Sequence, residues 1–550
     1  MRRQQKSLAL ALTFGFLLGG SASAAPAVSD EPSDVREAIN QQEKPAENAA
    51  VENVLPGDAA AKPSSASFHL NALTVEREDG LKVKQAELDK IAASYVGQDV
   101  TLNDLNKAAS EITRYCRSHG YPAATAYLPE QESADGSIII KVAPGRYGKV
   151  NIDNQSCLSD NVVARLTRGL RQGSVVNGRD LETSLYNIIG MGGVKAGGLL
   201  APGAKEGETD LTVRVEDGKR STYVLYSNNY GSRAAGRYRY GLMADWYEMS
   251  GQGDHLSVNG MVSNASQKAY GFRYEHGIGT TGTKIGIGVS HSNYELGAQL
   301  TQWGATGKAT TVSVFGTTPL WHKTDEGVSL NYGYDYRDMK DELRTVGYTA
   351  NKNSHAFHLG VDGFKHSGKT YFTYNVTGYT GRLSGDGDIM GTHFDLGNEG
   401  NFSKGTIDAS VVQTFNKNWD ILLRFSAQRA GGDLDNSEEM YLGGANGVRA
   451  YPQGEGAGDH GYLASAELRY HTKVPGLTLS TYFDMGHVMS EDVPALRDAT
   501  LKGWGIGVTW MRPNNYYARL DYARRIGLPD NHSEDAEASG RLWFMLGKMW

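Results

Sequence analysis

Cysteine is scarce in this chain: Cys116 and Cys157 are the only two in 550 residues. His and Cys do not cluster, so no metal site is expected. Long apolar runs are missing too. Beyond the first two dozen residues no stretch approaches the roughly 18 apolar residues that a membrane helix needs, which excludes a helical membrane protein. A net charge of −7 leaves no basic footprint, so nucleic acid is not an expected partner. Catalytic signatures are lacking as well: there is no G-x-S-x-G elbow or H-E-x-x-H pair. Gly456, Gly458 and Gly461 fit G-x-G-x-x-G, but they precede a strand instead of joining strand to helix. Neither enzymatic activity nor a cofactor is expected.

Glycine and tyrosine are abundant, at 68 and 30 residues, while the apolar fraction is 39%. With a mean hydropathy of −0.45, this composition fits a transmembrane β-barrel. There, alternate residues meet lipid, the others meet a polar lumen, and aromatics gather at both interfaces. Arg2, Arg3 and Lys6 precede an apolar run over 8–18, and Ala22-Ser23-Ala24 offers an A-x-A cleavage site. Residues 1–24 therefore predict a secretory signal peptide. A periplasmic setting permits disulfides, which leaves two readings of the cysteines. Cys116 either pairs with Cys157 or packs in a helix core, sharing a face with Leu105, Ala108 and Ile112.

Residues 25–65 are rich in Ala, Glu, Pro and Ser and lack apolar periodicity, as a linker does. Within them Asp34 and Glu37 resemble a capping box, and Pro45 ends the run. A short polar helix suited to a water-filled pore thus stands beside plain linker. Residues 66–144 predict an α/β unit of order β-α-α-β-β, with strands at 68–75, 125–128 and 138–142 and helices at 83–95 and 102–119. The same order recurs over 145–217, with Val162, Val163, Leu166 and Leu170 on one helix and Leu181, Leu185 and Ile188 on the next.

From 218 to 550 helical periodicity stops and alternating segments take over. In 237–247, Tyr238, Tyr240, Leu242, Ala244 and Trp246 fall on one face, and Arg237, Arg239 and Asp245 on the other. Further strands are predicted at 284–294, 328–336, 370–379, 422–428, 462–470, 477–486 and 517–524. Roughly sixteen strands, at about 21 residues per strand and connection, suit an outer-membrane barrel. Connections alternate between tight turns at 366–368, 416–418, 474–476 and 513–515 and long segments at 385–404 and 432–460. The terminal aromatic Trp550 reads as a signal for barrel-assembly machinery.

The longest loop carries Val448-Arg449-Ala450-Tyr451-Pro452, followed by Gly458-Asp459. It resembles the inward-folding sixth loop of two-partner secretion transporters, the TpsB family of outer-membrane barrels bearing periplasmic POTRA domains. Tyr482-Phe483-Asp484-Met485-Gly486 resembles that family's aromatic-x-Asp-x-Gly barrel motif. Gly120-Tyr121-Pro122-Ala123 and Asn177-Gly178-Arg179-Asp180 resemble segments of its two POTRA domains. Ala450 departs from the family's Gly, which would make a left-handed tip conformation costly.

The resemblance implies that the sixth loop enters the lumen and that Arg449 latches onto Asp484. In a wet lumen such a pair contributes ~1 kcal/mol, more if shielded. It implies a protein exporter in the outer membrane, with POTRA domains in the periplasm that recognise an unfolded secreted exoprotein through its N-terminal secretion domain. Outer-membrane lipid and the assembly machinery are the other expected partners. Adhesins, haemolysins, contact-dependent toxins and haem scavengers all use this type of transporter. The alternative is a barrel-insertion factor, which shares the loop motif but usually carries more POTRA units.

Overall fold

The computed structural model describes residues 51–55, 67–132, 135–205, 207–295, 297, 302–394, 396, 399–490, 498–530 and 532–550. The expected signal peptide and plug helix lie outside them.

The first unit packs two helices on a small sheet. Helix α1 (Gln85–Ala93) and helix α2 (Leu102–Ser118) cover strands Ala72–Arg77, Ser137–Ala143 and Thr125–Tyr127. Thr101 and Asp104 form a reciprocal capping box that fixes the start of α2. Leu88, Ala108, Ile112, Cys116, Val75 and Ile140 fill the core. The single strand expected at 68–75 is split. Ser67–His69 pairs with Asp99–Thr101, whereas Ala72–Arg77 runs parallel to Ser137–Ala143. Leu70 turns into a separate small core with Val100 and Leu105.

The second unit repeats the plan with α3 (Asp160–Leu166), α4 (Gly178–Ile189) and strands Arg146–Gln155, Val194–Pro202 and Glu208–Asp217. Val51–Asn53, read from the sequence as linker, is a fourth strand. It lies parallel to the sheet edge, with Val51 opposite Gly198 and Asn53 opposite Leu200. A three-residue edge strand held by backbone bonds leaves almost no pattern in its side chains. The cysteines do not pair. Cys116 is buried in the first unit and Cys157 sits in the second, both as free thiols. Burial pushes the Cys116 thiol up to about 11.

Sixteen antiparallel strands close a barrel: β1 (Ser221–Asn228), β2 (Arg239–Tyr247), β3 (His255–Ser263), β4 (Lys268–Ile278), β5 (Thr283–Glu295), β6 (Ala305–His322), β7 (Glu326–Leu343), β8 (Tyr348–Ser367), β9 (Thr370–Ile389), β10 (Gly400–Asn416), β11 (Trp419–Ala430), β12 (His460–His471), β13 (Leu477–Met489), β14 (Ala499–Arg512), β15 (Tyr516–Arg525) and β16 (Gly540–Met549). A short strand, Thr392–Phe394, folds back on β9. Closure joins 224–228 of β1 to 545–549 of β16, and Tyr223 and Trp550 exchange backbone hydrogen bonds just beyond. Outward rows are apolar, as in Ile287, Val314, Phe357, Leu359 and Ile506, all largely exposed.

Strands β6 to β9 run to 18–20 residues, about twice what a bilayer needs. The sequence pattern stops short of their upper ends. Above Tyr334 and Tyr336 the outward row of β7 continues as Asp338, Lys340 and Glu342, a face that meets water instead of lipid.

Candidate functional site

The loop between β11 and β12 folds into the barrel. Met440 and Tyr441 pair antiparallel with Gly458 and Ala457 to form a two-rung stem. Above the stem, Gly443 N donates to Glu455 O at 2.8 Å and Val448 N donates to Leu442 O at 2.7 Å, which rolls the tip into a compact knot. Leu442, Val448, Ala450 and Tyr451 are buried among Tyr482, Val488, Leu501 and Ala523 of the wall. An apolar tip in a polar lumen has to find apolar wall, and this patch supplies it.

Arg449 is delivered to a charged cluster. It is 4% exposed and Asp484 1%. Nε donates to Oδ2 of Asp484 and Nη2 donates to Oδ1, both at 2.8 Å, a bidentate pair. The backbone N of Arg449 also donates to Oδ2, at 3.2 Å. Nη1 donates to Glu467 Oε2 at 2.9 Å and lies 3.6 Å from Asp521 Oδ1. Arg519 closes the cluster, 2.7 Å from Asp521 and 3.2 Å from Glu467. The guanidinium carbon stands 3.2 Å from the centre of the Tyr482 ring, a cation–π contact. Trp543 Nε1 donates to Arg449 O at 2.7 Å. Two arginines thus face three carboxylates with nearly every arm engaged.

Strand register places these groups side by side. Ser465, Asp484 and Gly503 form one cross-strand row, and Glu467, Tyr482 and Gly505 the next. The aromatic-x-Asp-x-Gly motif then has a mechanical reading. Tyr482 supplies the ring, Asp484 the bidentate acceptor, and Gly486 the space, since a Cβ there would lie 2.7 Å from Leu442 of the loop. Phe483 points outward and is exposed, as the alternation predicts.

The structure bears on two of these expectations. Ala450 does not sit in the left-handed region; the non-glycine residues with positive φ among those described are Glu248, Met390 and Asn514. The pair is also not a wet lumen contact. Removing one partner from a buried, multiply bonded pair costs about 3–5 kcal/mol, well above the roughly 1 kcal/mol of an exposed one.

The foot of the loop is pinned separately, to the far wall. Lys352 on β8 pairs with Asp435 at 2.5 Å, while Arg337 on β7 and Lys404 on β10 grip Glu438 at 3.1 and 2.8 Å. Asp459 accepts from Leu434 N at 2.9 Å and staples the two ends of the loop together. The sequence reading missed Glu467, Arg519, Asp521 and these anchors. Their signal was parity: Arg519 and Asp521 occupy alternate positions of β15, between apolar neighbours that face lipid.

Comparison with known proteins places this geometry. The family model for the haemolysin secretion/activation proteins ShlB/FhaC/HecB matches residues 207–510, and that for the ShlB-type POTRA domain matches 68–145. The haem/haemopexin transporter protein HuxB of Haemophilus influenzae strain 86-028NP is 25% identical over 570 residues, covering 100% of this chain and 99% of the relative. The outer membrane transporter CdiB of Dickeya dadantii is 23% identical, covering 77% of each. Among solved structures, CdiB from Escherichia coli superposes with a TM-score of 0.72 at 19% identity, covering 94% of this chain and 97% of that one. The barrel lies in the outer membrane with its α/β units in the periplasm, and the chain belongs to the ShlB/FhaC/HecB family of haemolysin secretion/activation proteins.

Proposed function

We propose that this chain exports an unfolded partner protein through its barrel, without ATP, and that the sixth loop is the gate. One observation carries the reading: the loop occupies the lumen and is held there by contacts between side chains instead of by continuous backbone pairing with the wall. Side-chain contacts can exchange during transport while the barrel's own ladder stays intact. Arg449 and Asp484 define the closed arrangement.

Capture precedes passage. The edge of the second unit at Gly198–Leu200 already accepts an extended segment, Val51–Asn53, in parallel register. β-Augmentation of this kind makes few sequence demands and suits an unfolded polypeptide. Folding of the partner outside the cell gives the direction.

The test pairs this chain with its secreted partner in a strain lacking both. Secretion should require this chain, should fall when Arg449 or Asp484 is neutralised, and should leave other outer-membrane proteins assembled. Unchanged secretion in both charge variants would sink the gate. General loss of outer-membrane barrels would point to insertion instead of export.

A further inference from the structure

The second periplasmic unit does not hang free below the barrel. Thr183 Oγ1 on α4 donates to His322 O at 3.2 Å, and Tyr186 stacks on the His322 ring at 4.2 Å. Thr324 N donates to Glu182 at 3.2 Å, and Arg165 Nη2 donates to Gly277 O at 3.1 Å. Between the helix pair and the barrel rim this docking leaves a cavity of about 540 Å³. Arg168, Arg171, Asp180 and Asn187 line it from the domain side, and Thr281 and Leu320 from the barrel side.

The cavity has two chemistries. Leu320 lies in the bulge at the foot of β6 and is 50% exposed, continuing the outward apolar row of Val312 and Val314 at the level of the periplasmic leaflet. Beside it Trp321 carries the Arg179 guanidinium at 5.1 Å, an aromatic and a cation meeting where lipid gives way to water. The domain side is polar. Arg168 and Arg171 are exposed cations, and Asp180 adds a carboxylate. Asn187 is 6% exposed, and its Oδ1 has no hydrogen-bond partner among the described residues. A buried acceptor left unmet is costly and asks for a donor.

The geometry points to a binding site for the phosphoethanolamine headgroup of a periplasmic-leaflet phospholipid. The two arginines take the phosphate. The ammonium donates to Asn187 Oδ1 and neutralises Asp180, and the acyl chains run up the wall along Leu320. Phosphatidylcholine offers no N–H to Asn187, and phosphatidylglycerol no cation to Asp180. A lipid seated here bridges the periplasmic unit and the barrel and stiffens their joint.

The experiment is native mass spectrometry on the full chain, delipidated in detergent and titrated with phosphatidylethanolamine, phosphatidylcholine or phosphatidylglycerol. One phosphatidylethanolamine should be retained per barrel, with the other two held at least about tenfold more weakly. The double variant Arg168→Ala/Arg171→Ala should lose that preference. Thr281→Trp, which fills the cavity without touching a charge, should lose it too and decides the matter if the arginine variant does not fold. Equal retention of all three lipids by the wild-type chain, or selectivity that survives in the folded variants, overturns the site.

Discussion

The methyl of Ala450 occupies the space left by Gly503: a Cβ built on Gly503 would lie 2.5 Å from that of Ala450. The departure from glycine in the loop motif is thus matched by a glycine on β14, in the same cross-strand row as Asp484. Putting Ala at 503 should force the tip off its seat, whereas Ala450→Gly should be tolerated. Planar-bilayer recordings are the check: larger or noisier conductance is expected for Gly503→Ala and near wild-type traces for Ala450→Gly. Restoration of the quiet trace in the double variant would tie the effect to this contact.

Arg449 and Asp484 should not be equivalent when mutated. Asp484→Asn leaves Arg449 still bonded to Glu467. Arg449→Ala removes the cation that Asp484, Glu467 and Asp521 share and leaves Asp484 without its bidentate partner, with Arg519 still on Glu467 and Asp521. Loss of the arginine should therefore cost more, toward the upper end of about 3–5 kcal/mol. A double-mutant cycle on the temperature at which the barrel loses heat-modifiable gel mobility measures the coupling. Equal, additive effects would contradict the network.

The foot of the loop should respond independently of its tip. Glu438 bridges Arg337 and Lys404, so Glu438→Gln weakens two contacts at once without touching Arg449. A cysteine pair bridging tip and wall should still cross-link in this variant while the stem gains mobility, read from spin labels near 436. Loss of tip cross-linking would mean that the loop moves as one rigid piece.

Much of this was legible in the residues, and the rest fails for identifiable reasons. Barrel strands show where one face meets lipid, so 284–294 and 477–486 lie within a few residues of their observed ends. Strands β7 and β9 were cut short because the pattern ends where the bilayer ends. Arg449 and Asp484 stood out through motif resemblance. Glu467 and Arg519 did not, because one charge in an alternating strand looks like any other wall residue of a polar lumen. The strand at Val51–Asn53 is held by backbone bonds and so is silent in the side chains.

That strand makes its own prediction. If it occupies the edge that takes the partner, its removal should strengthen partner binding. Deleting 51–54 removes the pairing with Gly198–Leu200 and the bond from Val54 N to Leu200 O. Affinity for an extended partner segment should rise roughly 3- to 10-fold, the factor by which the competent fraction increases. Calorimetry with the purified chain measures it, and weaker binding would place capture elsewhere.

A pH response should reside at the joint between the second unit and the barrel. Glu248, in the periplasmic turn after β2, is buried against Gly193 of the α/β unit, and its Oε2 accepts from Gly253 N at 3.0 Å. Burial pushes its carboxyl from the ordinary 4.5 up to about 7, reinforced by nearby Asp254 and opposed by Lys284 and Arg220. The folded chain therefore keeps a proton that the unfolded chain releases. Stability from this group is fully present below pH 4.5 and is lost as pH rises through about 7, with no further change above. Glu248→Gln, permanently neutral, should flatten that slope and gain about 2–4 °C over wild type at pH 8. Melting curves at pH 5 and pH 8, with hydrogen exchange at 248–254, provide the measurement. A wild-type chain that melts higher at pH 8 than at pH 5, with the slope unchanged in Glu248→Gln, would assign the titration to another group.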